Sequence, residues 1–87
     1  MDKLAMLKRD LQLLSNANDE LLVDLLQAAD KFIKREGIKD DGGIEYTEIQ
    51  VQYAAYLFRR RAGGDTGMPR FLRYEMNNLL FAQKASS

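Results

Sequence analysis

The strongest constraint on this chain is the spacing of its apolar residues. They recur every three or four positions in four stretches, and nowhere alternate one in two as a half-buried strand would require. That spacing gathers apolar side chains along one side of a helix, so the chain is expected to be all-α. The reading is a single small domain of about four helices, roughly 3–14, 18–36, 47–62 and 69–83. A flexible loop is expected at about 38–45, a Gly-rich loop at 63–67, and a frayed tail at 84–87, with fraying from Gln83.

Each stretch has its own signature. Leu4, Leu7, Leu11 and Leu14 form one stripe, followed by Ser15, Asn16 and Asn18, any of which would cap a second helix, with Asp19 and Glu20 at the positive end of its dipole. The second helix repeats Leu21, Leu22, Leu25, Leu26, Ala29, Phe32 and Ile33, and closes with Lys34 and Arg35 before Gly37, a suitable left-handed stop. The third is expected to open with Thr47 as cap and Gln50 reaching back to it, and is apolar nearly all round, which marks the central helix. The fourth starts at Pro69, with a core stripe of Leu72, Met76, Leu79 and Leu80. Phe71, Tyr74, Asn78 and Phe81 make a neighbouring stripe, more apolar face than one small core uses, and a candidate oligomer interface.

With 87 residues there is material for one core, and a domain of this size buries only about 60% of its unfolded surface, so self-association has a raised prior. The absence of Cys and His removes thiol nucleophiles, Cys/His zinc sites, Ser-His-Asp triads and imidazole acid–base chemistry. No catalytic constellation, cofactor site or metal site is expected, and the chain is read as not an enzyme. Asp41-Gly42 followed by Ile44 and Glu48 matches the back half of a calcium loop, but Gly37 and Lys39 stand where carboxylates are needed, so a turn is the better reading. Gly63 to Gly67 lacks the lysine and preceding strand of a phosphate-binding P-loop. Glu20 and Asp24 share a helix face that reads as solvated. Tyr46, Tyr53, Tyr56 and Tyr74 read as core residues with the hydroxyl at the edge rather than as base-stacking platforms. No stretch approaches the about 18 apolar residues of a membrane span, and the start of the chain lacks a signal-peptide layout, so it reads as soluble and cytosolic.

A formal net charge of +0 hides an uneven distribution. Met1 to Glu45 holds seven Lys/Arg against ten Asp/Glu, while Tyr46 to Ser87 holds six against three. Arg59, Arg60 and Arg61, with Arg70 and Arg73, are candidates for a DNA channel or a subunit contact. Three consecutive arginines fan around a helix and cannot share one face, which favours dipole complementation and pairing with a neighbour's acids over sequence reading of DNA.

The order of these residues resembles a known family. Leu21, Leu22, Leu25, Leu26, Ala28, Ala29, Phe32 and Ile33, then a glycine-bearing loop, then Tyr53 to Arg61, then Met68-Pro69-Arg70-Phe71-Leu72-Arg73-Tyr74 with Asn77-Asn78-Leu79-Leu80-Phe81, is similar to the small head–tail connector (adaptor) proteins of tailed bacteriophages. The likeness covers about Asn18 to Lys84, and the closing segment is its most specific part. It implies a non-enzymatic helical subunit that assembles into a ring, often of about twelve copies; many ring components stay monomeric until their docking site is offered. It further implies a ring docked below the portal protein, extending the DNA channel with non-specific contact to packaged DNA, and receiving a tail or stopper protein. The location implied is the virion neck, and the host cytoplasm during assembly. A long C-terminal arm that some relatives insert into the portal is not evident after Lys84. The alternative is a small helical DNA-binding or regulatory protein of a phage or mobile element, which would bind duplex DNA as a dimer with a steep salt slope. An inhibitory module acting on a host enzyme is a third.

Overall fold

Each of the four apolar stretches becomes a helix in the computed structural model, which describes residues 2–63 and 67–86. They are α1 (Lys3–Leu11), α2 (Asp19–Arg35), α3 (Ile44–Arg61) and α4 (Arg70–Ser86), in one all-α domain.

The helix α1 starts on Asp2, whose side chain accepts the Ala5 N–H at 3.2 Å. It stops earlier than its leucine stripe suggests. Gln12 takes a left-handed conformation at φ 59°, and the N–H groups of Gln12 and Leu13 close onto the carbonyls of Arg9 and Lys8. This turns Leu13 back against the core and leaves Leu14, expected on the buried stripe, 99% exposed. None of the expected caps before α2 acts as one. Asn18 occupies the cap position without a side-chain bond, Ser15 accepts only the Ala17 N–H, and Asn16 accepts from Lys8 at 2.7 Å. Lys8 also pairs with Asp19 at 3.0 Å, so one lysine ties the connection to the start of α2.

The end of α2 follows expectation. Gly37 is left-handed at φ 93°, its N–H bonds Lys34 O at 3.0 Å, and the Ile38 N–H reaches Ile33 O at 3.4 Å. The turn brings Ile38 onto Ile33, and both are buried in one cluster with Tyr46, Ile49, Leu72, Met76 and Leu79. Ile38 therefore belongs to the core, not to the flexible loop in which its charged neighbours placed it. Asp40 and Asp41 accept the N–H groups of Gly42 and Gly43 at 3.0 and 2.9 Å, which builds the turn into α3.

Gly43, not Thr47, precedes the first turn of α3. Thr47 and Gln50 form no capping box: Thr47 Oγ1 donates back to Gly43 O at 3.4 Å, and Gln50 points across the core. Its Nε2 donates to Leu26 O at 2.9 Å, while its Oε1 accepts from Lys3 Nζ at 2.6 Å. Four residues earlier Tyr46 donates its hydroxyl to Asp30, four residues later on α2. A step forward on one helix is a step back on the other, so α2 and α3 are antiparallel. Packed against α1, α2 and α4, α3 is the central helix. A second cluster around Leu7, Leu22, Leu25, Leu26, Ala29, Val51, Ala54 and Ala55 fills the space between α1, α2 and α3.

Pro69 lies one residue before α4, and its carbonyl accepts from Leu72 and Arg73 at 3.1 and 3.3 Å. The helix continues to Ser86 rather than ending near Gln83. Gln83 is held on both sides of its amide by Lys39: it accepts the Lys39 N–H at 2.8 Å and donates to the Lys39 carbonyl at 2.7 Å. That clamp carries the helix past the point where polar composition alone would end it.

Two outcomes follow. An added Cβ at Gly37 would meet Leu80 at an ordinary 3.6 Å, so Gly37→Ala is penalised by backbone conformation alone. It is expected to cost about 1 kcal/mol, read as a fall in melting temperature of about 4–8 °C, with Gly37→Asn milder because asparagine tolerates the left-handed region. Burial alone would raise the Asp30 carboxyl, but hydrogen bonds from Tyr46 and Lys34 outweigh it and hold the group below its ordinary value of 3.8. Burial and then Asp30 itself push the Tyr46 hydroxyl well above its usual 10.0. A depressed carboxyl stabilises the fold above its unfolded value and loses that contribution as pH falls through the folded one. Tyr46→Phe should therefore cost about 1.5 kcal/mol in urea unfolding at pH 7, with the gap to the parent narrowing below about pH 4.

Candidate interaction surfaces

Three surfaces are built from these elements. The first is the arginine-bearing end of α3. Its last turn carries Arg59, Arg60 and Arg61, placed where cations oppose the negative end of the helix dipole. They do not act alike. Arg59 is committed within the chain to Asp10 of α1 at 3.4 Å, whereas Arg60 and Arg61 are exposed and hold no ion pair among the described residues. Arg73 is likewise taken, pairing with Glu36 at 2.5 Å and lying 6.0 Å from the Phe32 ring, while Arg70 is exposed. The five arginines expected as one set thus divide into two with ion-pair partners and three without one among the described residues.

The second surface is the outer face of α4. Its inner side buries Leu72, Met76 and Leu79, and the neighbouring stripe is left outside, with Phe71 56%, Tyr74 68% and Phe81 67% exposed and Asn78 exposed between them. Tyr74 is therefore not a core residue. Of the other tyrosines, Tyr46 is fully buried, and Tyr53 stacks on Phe32 with ring centres 4.4 Å apart and a 9° interplanar angle. Tyr56 leans on Tyr53 at 5.7 Å. Burial, reinforced by neighbouring Tyr56, raises the Tyr53 hydroxyl above its ordinary value, with Arg60 and Arg73 opposing the shift.

The third is a cleft of about 230 Å³ lined by Asp10, Gln52, Tyr56, Arg59, Pro69 and Phe71, together with Leu72. The Oε1 of Gln52 is buried and has no hydrogen-bond donor among the described residues. Sequence reasoning passed over this cleft, although Gln52, Tyr56 and Arg59 lie four and three residues apart, a polar stripe on one face of an otherwise apolar helix. On α2, Glu20 and Asp24 are exposed beside Val23, as their solvated reading expected. Of the Gly-rich loop weighed for phosphate, positions 64–66 lie outside the described residues. No helix among the described residues is long and apolar enough to cross a membrane. No protein-family model matches the chain, and no curated protein or solved structure matches it either.

Proposed function

We propose that this chain is a non-enzymatic head–tail connector subunit of a tailed bacteriophage, forming a ring below the portal that extends the DNA channel and receives a tail or stopper protein. One geometric observation carries the reading beyond the resemblance. Because α2 and α3 are antiparallel, the exposed acids Glu20 and Asp24 near the start of α2 lie at the same end of the bundle as Arg60 and Arg61 at the close of α3. Two unlike surfaces on one molecule make a head-to-tail contact, which closes a ring when the rotation from copy to copy closes. Opposite charge on the two surfaces sets the order of docking and its register. Arg60 and Arg61 are the residues available for this role, since Arg59 and Arg73 are occupied internally.

The test is to mix the purified chain with portal-bearing, DNA-filled heads and image them by negative-stain microscopy. Added density beneath the portal is expected, and the double variant Arg60→Glu, Arg61→Glu should weaken docking about tenfold and flatten its salt dependence. Absence of any added density removes the reading, and salt-steep duplex binding in its place would identify a DNA-binding regulator.

A further inference from the structure

We infer that α4 is a self-recognition surface, through which two copies of the chain pair in parallel and in register, Phe71, Tyr74, Asn78 and Phe81 of one copy facing the same residues of the other. The inference does not rest on the connector reading. It begins from spacing: these four residues are separated by three, four and three positions, the seam of a two-stranded coil. At about 100° per residue the seam points roughly 150° away from Leu72, Met76 and Leu79, so a copy can approach with its own body on the far side. The three aromatics are more than half exposed, and α4 is already formed on its own core, so pairing does not have to nucleate a helix.

Charge selects the orientation. In a parallel pair the residue before the first seam position meets the residue five further along the other helix, which places Arg70 of each copy beside Glu75 of the other, twice by symmetry. An antiparallel pair would set Glu75 against Glu75 and Arg70 against Lys84. Neither Arg70 nor Glu75 has an ion pair within the chain among the described residues, so both are available. Asn78 points the same way: in parallel register its amide meets its own copy and both hydrogen-bonding ends are satisfied, whereas in antiparallel register it faces Tyr74. The aromatics contribute about 400 Å² per copy, half of what one partner of a standard interface buries, which puts the pair among the small, transient interfaces.

The chain has no cysteine, which makes the register directly readable. Sedimentation across the micromolar range should show a monomer–dimer equilibrium. Asn78→Cys should give a disulfide-linked dimer under mild oxidation, because facing seam positions lie within disulfide reach only in parallel register. Arg70→Glu should weaken the dimer about tenfold, and adding Glu75→Arg should restore it. Arg70 and Asn78 are exposed and Glu75 half-buried, so circular dichroism should show unchanged helix in each variant. A chain that stays monomeric, a dimer that Asn78→Cys does not cross-link, or a charge swap that fails to restore pairing would each overturn the proposal.

Discussion

The structure depends on α3 being buried on three sides. A polar side chain on a helix in that position is costly unless it finds a partner, because an unpaired amide or hydroxyl in the core costs more than its hydrogen bond returns; Gln52 Oε1 carries that cost. Gln50 meets that condition at both ends, bonded to Leu26 O on α2 and to Lys3 on α1, and Tyr46 meets it through Asp30. These bonds do more than satisfy α3. They fix the antiparallel register of α2 and α3 and hold the short helix α1 against both. The stacked pair of Phe32 and Tyr53 continues the same seam between α2 and α3 in apolar form.

Much of this was legible in the spacing of leucines and aromatics: four helices, the central place of α3, the left-handed stop at Gly37 and the spare face of α4. What the spacing hid was the partner of each polar residue. Thr47 and Gln50 have the pattern of a capping box, but the turn made by Asp40, Asp41 and the glycines starts the helix three residues sooner, which frees Gln50 for the core. Leu14 fits the helical stripe of α1, yet left-handed Gln12 ends the helix first and substitutes Leu13. Glutamine is no usual left-handed residue, so no local signal marked it. Ile38 was hidden by the charges that follow it, although the closing turn of a helix commonly brings an apolar residue back onto the last buried position.

The surfaces were legible in kind and not in allegiance. Five arginines read alike in the sequence, and what divides them is which acid the fold brings close: Asp10 to Arg59, Glu36 to Arg73, none to Arg60, Arg61 or Arg70 among the described residues. The two adjacent stripes on α4, by contrast, were told apart by the sequence as a core stripe and a spare one. Packing against α3 and the Ile33–Ile38 turn covers the stripe of Leu72, Met76 and Leu79 and leaves the aromatics outside. The cleft at Gln52 belongs to three helices at once, so no periodicity within one of them predicts its depth.

The two proposed associations use different symmetry, and that sets a limit on their strengths. A ring joins unlike surfaces, Glu20 and Asp24 of one subunit to Arg60 and Arg61 of the next, whereas the α4 pair joins one surface to itself and stops at two. A two-fold contact cannot serve between neighbours related by a simple ring rotation, so the α4 pair either opens on assembly or lies off the ring path. For the chain to do both, pairing must cover the aromatics while the subunit is free and yield when a larger docking surface is offered. An interface of about half the standard area suits that requirement, and a nanomolar pair would hold subunits out of the ring. On the two proposals together, the sparing use of contact area on α4 would let one small domain stay shielded alone and still assemble.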